Sequence, residues 1–432
     1  MSLVTIAILG IAGVVCLVIM GLPIAYSMLF ASVIIILFGL HQPASLLKLG
    51  TATFAAFYSM SWVPLPLFIL LAYIINETTI ATDIFTAANK WLSRVPGGLV
   101  VSGIVAEAVM AAAIGSSGVT ILSVGKVALP EMERLSYKRD FSIGALLAGG
   151  VLGPLIPPSI PFVVYGIITQ TSISKLLIAG IMPGIVLTIM LAAWAMIAAK
   201  INPSWAPLPV GVNWRERAVS VKNVWPILFI MIGIIGSIYA GAATASEAAG
   251  VGVVLTLLIA VVSYRFRHSH LVRAMSDTAT MTGMIGLMIT AAMVFTFGVG
   301  ISGLAQSMAD TITGMGLSPW MVIIAINILI LILGCIMDTL AIVLVMVPIL
   351  VPLITALGFD PIWFGVVVVV NTEIGLITPP IGLNLFITSQ VFHIPIISLL
   401  RGVLPFLIVL IVFLGIVIAF PQLSLWLPSL MK

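Results

Sequence analysis

Two stretches govern the reading of this chain: Leu152-Gly-Pro-Leu-Ile-Pro-Pro158 and Ile374-Gly-Leu-Ile-Thr-Pro-Pro380. Gly153, Pro157 and Pro158 recur as Gly375, Pro379 and Pro380, at a single offset of 222 residues. Each stretch interrupts apolar sequence that would otherwise run as a long helix. Proline lacks an N–H and clashes with the carbonyl one turn back, so a helix must break at both places. A break frees backbone carbonyls, and in an apolar setting freed backbone survives only where protein or a cavity covers it. Both stretches therefore read as built sites.

Upstream of each break lies a second match. Gly115-Ser-Ser-Gly-Val-Thr120 aligns with Gly334-Cys-Ile-Met-Asp-Thr339, with Gly and Thr in step at an offset of 219 residues. One Pro-Pro pair would mean no more than a kink. Two ordered matches at about half the chain's length read as an internal duplication.

Composition sets the class. Of 432 residues, 62% are hydrophobic and 7% charged, against about 25% charged in a soluble domain. So few charges cannot cover a soluble surface of this size, and the chain reads as a multi-pass protein of the lipid bilayer. That excludes a soluble enzyme, a nucleic-acid binder and a disordered adaptor. The net charge of +4 then reports loop orientation rather than a polyanion partner. Cys16 and Cys335 both sit in apolar runs, which argues against a disulfide framework or a cysteine metal site. The first twenty residues carry no Lys or Arg and read as a retained helix rather than a signal peptide.

Spans are expected near 2–22, 24–40, 52–76, 175–199, 225–242, 247–264, 274–297 and 396–420. Stretches 96–130 and 318–357 are too long for one span and have polar tips, so they read as re-entrant hairpins; 141–172 and 361–392 are the broken helices. Amphipathic pieces near 80–94 and 299–316 are expected to lie along the membrane surface as arms. The basic clusters Arg134-Leu-Ser-Tyr-Lys-Arg139, Lys200/Arg215/Arg217/Lys222 and Arg265/Arg267/Arg273 belong on the cytoplasmic side. The count then places both termini outside and gives the two halves, 1–199 and 224–432, opposite orientations about a linker at 200–223. The expected fold is an all-α inverted-topology repeat, the architecture of secondary transporters.

The breaks offer carbonyl oxygens and the tips offer hydroxyls: Ser116 and Ser117 in one half, Thr339 in the other. Such oxygen clusters suit a hard cation such as Na⁺, and half-helix N-termini suit a carboxylate substrate. Asp338 at the second tip is an ionisable group at depth, which marks function by default. Glu373, two residues before Gly375, fits a substrate role and a packing role equally. Glu107 and Lys126 are equidistant from the first tip, which predicts an ion pair across that hairpin, direct or bridged by water, that holds the limbs in register.

These residues resemble a known family. Gly115-Ser-Ser-Gly, Gly149-Gly-Val-Leu-Gly-Pro-Leu-Ile-Pro-Pro-Ser159, Tyr165-Gly166, Met337-Asp-Thr339 and Asn371-Thr-Glu-Ile-Gly-Leu-Ile-Thr-Pro-Pro-Ile-Gly-Leu-Asn384 are similar to the large membrane subunit of tripartite ATP-independent periplasmic (TRAP) transporters. The resemblance implies an elevator-type, Na⁺-coupled importer of an organic acid in the bacterial inner membrane. It implies a small four-helix membrane subunit and a periplasmic substrate-binding protein as partners. Carried over by position, one sodium site comprises Ser116, Ser117, Gly153, Ile156 and Pro158, and a second comprises Cys335, Asp338, Gly375 and Thr378. Ile156 and Cys335 would act through their carbonyls. Asp338, Thr339 and Asn384 fall in the substrate region. The first tip is one residue shorter than the family's Ser-Gly-Ser-Ser pattern, which leaves Gly115, Ser116 and Ser117 as alternatives for facing the ion.

Other readings are weaker. Gly115-Ser-Ser-Gly118 with His393 has the elements of an intramembrane serine protease, but a duplicated, proline-broken scaffold does not fit one. Position 120 is Thr, so Gly125-Lys126 lacks the first Gly of a phosphate loop. The chain is expected not to be an enzyme and to use no nucleotide or organic cofactor. The rival transporter reading is a self-sufficient Na⁺- or H⁺-coupled carboxylate carrier needing no binding protein.

Overall fold

The computed structural model describes residues 3–40, 50–51, 53–54, 58, 60–207, 213–264 and 266–431. Among them it is helical without strands. Leu3–Ile19 and Ile24–Leu40 form the opening pair. The expected span 52–76 is described in full only from Met60, and its helix is Pro64–Asn76. The chain then bends by 69° into the first arm, Ile80–Leu92. The second arm is Leu304–Gly314, entered from Gly303 at φ +66°.

The first hairpin is Gly98–Ile114 with Ser117–Arg134, and the second is Pro319–Gly334 with Thr339–Ala356. The first broken helix is Arg139–Gly149, a tight turn at Gly150–Leu152, and Ile160–Thr169. The second is Pro361–Leu376 and Leu383–Phe392. Both Pro157–Pro158 and Pro379–Pro380 are cis. New starts are capped: the Ser159 hydroxyl accepts from Phe162 N, and the Asp360 carboxylate accepts from Ile362 N at 2.7 Å. Thr244 and Glu247 form a reciprocal capping box before Ala245–Ser263, so Glu247 is engaged in helix initiation.

The broken helices form the interior. Every residue from Phe141 to Leu155 and from Trp363 to Ile377 is buried. Tyr165 Oη donates to the Pro361 carbonyl at 2.6 Å and Trp363 Nε1 donates to the Val417 carbonyl at 2.9 Å. These bonds tie the two broken helices to each other and to the closing helix Ile396–Ala419. The long helices turn Ile8, Leu9, Phe229, Ile232, Val262 and Ile408 outward, as a lipid-facing shell requires. Among the described residues, five helices are long and apolar enough to cross a membrane, or seven if each bent pair counts as one span. The protein is integral to the membrane.

Two expectations change. The linker 200–223 is partly helical: Trp214–Lys222 is helix and bends by 50° into Val224–Tyr239. The Arg217 guanidinium lies 4.9 Å over the Trp214 ring and its carbonyl accepts from Trp91 Nε1, so packing onto the first arm draws this segment out of the loop. The expected span 274–297 extends to His268–Ile301.

Candidate functional site

The two tips are built differently. In the first, Ile114 ends one limb, Gly115 turns at φ +69°, and Ser116 in extended backbone opens the next. In the second, Cys335 to Asp338 intervene, and the Asp338 carboxylate caps the returning limb by accepting from Ala341 N at 3.2 Å. The second tip is thus the longer, and Thr120 is not the structural counterpart of Thr339. Thr120 lies one turn into its limb, its hydroxyl donating to the Ser116 carbonyl at 2.8 Å. Ser117, the first helical residue after the tip, holds the place that Thr339 holds in the other half.

Each tip closes on its own break through backbone. A Cβ added at Gly153 would lie 2.8 Å from the Ser116 carbonyl group, and one at Gly375 would lie 2.6 Å from Gly334. Gly115 meets the Pro158 carbonyl. Glycine is required at both breaks because any side chain would push the tip away. The Cys335 carbonyl accepts from Gly382 N at 3.0 Å, and the Thr378 hydroxyl donates to Ile374 O at 2.5 Å.

Between the two tips lies a cavity of about 230 Å³, lined by Ser116, Ser117, Asp338, Thr339, Glu373 and Asn384 among others. Thr339 Oγ1 donates to Glu373 Oε1 at 2.6 Å, and Asn384 Nδ2 donates to Ser117 Oγ at 3.0 Å. Glu373 is 2% exposed and its Oε2 has no hydrogen-bond partner. Ser117, Ile160, Thr339 and Leu383 all line the cavity, and each is the first residue of a helix. Four helix N-termini therefore open on one space, each carrying a partial positive charge.

The structure thus brings Ser116, Gly153 and Pro158 into one contact with Gly115, and Cys335 into another with Gly375. It places Ser117, Asp338, Thr339 and Asn384 together on the cavity. The Ile156 side chain packs on Gly184. The Thr378 hydroxyl is turned onto its own helix. Glu373 resolves to the cavity. Tyr73, Asn76 and Met281 also line it, contributed by helices outside the hairpins and breaks; nothing in the repeat pattern marks them. His393 ends the ten-residue helix that begins beside Ser117, about 15 Å away, so no Ser–His dyad forms.

The expected Glu107–Lys126 ion pair is not made. Lys126 is exposed, whereas Glu107 is fully buried and neither carboxyl oxygen has a hydrogen-bond partner. Equal distance from a tip sets depth along two limbs but not the direction each side chain takes around its helix. Glu107 turns to Gly149 of the first broken helix.

A chain of apolar helices folded around two hairpins, two breaks and a cavity into which Ser117, Asp338, Thr339, Glu373 and Asn384 converge is a membrane transporter. The profile of the family described as "Tripartite ATP-independent periplasmic transporter, DctM component" matches residues 11–423, and the chain belongs to that family. It is 38% identical over 391 residues to the C4-dicarboxylate TRAP transporter large permease protein DctM of Pseudomonas aeruginosa, covering 90% of this chain and 91% of that one. It is 32% identical over 415 residues to the sialic acid TRAP transporter large permease protein SiaM of Vibrio cholerae, covering 95% of each. The fold is similar to the crystal structure of the Alcanivorax borkumensis YdaH transporter, with a TM-score of 0.60 at 13% identity over 90% of this chain and 91% of that one.

Proposed function

We propose that this chain imports an organic acid across the bacterial inner membrane by Na⁺-coupled elevator transport, as the large subunit of a tripartite system. A periplasmic binding protein delivers the substrate, and a small four-helix membrane subunit completes the carrier. The observation that carries this reading is the cavity between the two tips. Its carboxylates, Asp338 and Glu373, lie beside two glycine-mediated tip–break contacts. Hard cations are held by such carboxylate, carbonyl and hydroxyl oxygens. One Na⁺ by Ser116, Ser117, Gly153, Ile156 and Pro158, and one by Cys335, Asp338, Gly375 and Thr378, would offset the acidic groups. The four helix N-termini then favour an anionic substrate over a cationic one. C4-dicarboxylates and sialic acid, named for two relatives, are the substrate classes to try first.

The test is uptake into proteoliposomes holding this chain, the small subunit and a loaded binding protein. Uptake is expected to need an inward Na⁺ gradient and to ignore ATP. Undiminished uptake with choline in place of Na⁺, and no other cation gradient, refutes the coupling. Full uptake by this chain alone would establish the self-sufficient carrier instead.

A further inference from the structure

The first hairpin holds a buried acid that the proposed ion sites do not use. Glu107 is fully buried, and neither of its carboxyl oxygens has a hydrogen-bond partner. Charged residues on the helices packed against its limb include Asp83 and Lys90 on the arm, Lys126 on the returning limb, Arg139 and Asp140 on the broken helix, and Lys200. None of them makes a hydrogen bond to the carboxyl, whose two oxygens are both without a partner. A carboxylate without counter-charge or donor is far less stable in such surroundings than the neutral acid. The carboxyl occupies room that glycine leaves at position 149: a Cβ there would overlap Glu107 Oε2.

The second half has the same place built another way. Glu107 lies seven residues before Ile114, the end of its limb, and Asn327 lies seven before Gly334, the end of its own. Gly149 lies four residues before Gly153, and Asn371 four before Gly375. Asn371 Nδ2 donates to both the carbonyl and the side-chain oxygen of Asn327 at 2.8 Å. So each inward limb meets its broken helix at one equivalent position: by two small amides in the second half, and by one larger acid against no side chain in the first.

We infer that Glu107 is a neutral acid that seats the first hairpin on the first broken helix at Gly149, as the Asn327–Asn371 contact seats the second. It is a positioning residue: it holds the limb that leads into the tip, where Ser116 meets Gly153.

Thermal unfolding of the purified full chain tests the seat without reference to transport. Glu107→Gln, neutral and nearly isosteric, is expected to leave the midpoint unchanged. Gly149→Asn is expected to lower it, and Glu107→Asn with Gly149→Asn, which copies the second half, is expected to recover most of the loss. A Glu107→Gln chain that fails to fold, or a double variant no better than Gly149→Asn, overturns the inference. The positioning role rests on the sodium reading and has its own arm in uptake assays. Glu107→Ala is expected to raise the half-saturating Na⁺ concentration several-fold while Glu107→Gln keeps the unsubstituted value; equal values in both variants overturn it. If the unsubstituted carrier itself shows no Na⁺ dependence, the sodium reading fails, and the unfolding data alone decide the seat.

Discussion

Asn384 donates a hydrogen bond to Ser117 at 3.0 Å, across 267 residues of chain. The helix after the second break is thereby fastened to the tip of the first hairpin. The halves therefore share one site, and a change at either break should be felt at both tips.

That bond predicts coupling. A buried neutral hydrogen bond is worth about 1 kcal/mol net, and an orphaned partner costs about 1–3 kcal/mol. Ser117→Ala and Asn384→Ala should each weaken uptake, and the double variant should lose less than the sum. Additive effects in a double-mutant cycle on uptake or thermal stability would show that the bond has no energetic role.

Asp338 has two separable tasks. It caps Thr339–Ala356 through Ala341 N and it lines the cavity. Asn serves as a helix cap about as well as Asp, whereas Ala costs about 0.5–2 kcal/mol. Asp338→Asn should fold with near-normal stability yet lose uptake, because the charge is gone; Asp338→Ala should lose uptake and some stability. Normal uptake by Asp338→Asn would leave only the capping role.

Glu373 keeps one oxygen on Thr339 and leaves the other without a partner. Glu373→Gln retains the first contact and removes the negative charge. Uptake is expected to fall at least tenfold, about 1.4 kcal/mol, with the unfolding midpoint held or raised. A variant with normal uptake would make Glu373 a packing residue.

Gly153→Ala and Gly375→Ala place a methyl group 2.8 Å from the Ser116 carbonyl group and 2.6 Å from Gly334, respectively. Overpacking of this kind costs about 1–3 kcal/mol, so both proteins should still reach the membrane. Uptake should be lost in each, because the tip is forced off its break. Normal half-saturating Na⁺ values in either would detach that contact from ion binding.

Sequence alone determined the broken helices, the hairpins and the membrane class, because each follows from local chemistry. Proline breaks a helix wherever it stands, and a chain with 7% charge has no soluble option. It also marked Ser117, Asp338, Thr339 and Asn384, since they sit at tips and breaks. Direction around a helix is not local, and there the tertiary structure decided. It turned Glu107 to Gly149 instead of Lys126, and carried Glu373 to Thr339. It also gave Ser117, rather than Thr120, the place of Thr339. Tyr73 and Asn76 reach the cavity only because Pro64–Asn76 packs against the hairpin. One residue shifts a helical side chain by about 100°, so the spacing that locates a break says little about what a neighbouring side chain meets. Only the packing of several helices settles that.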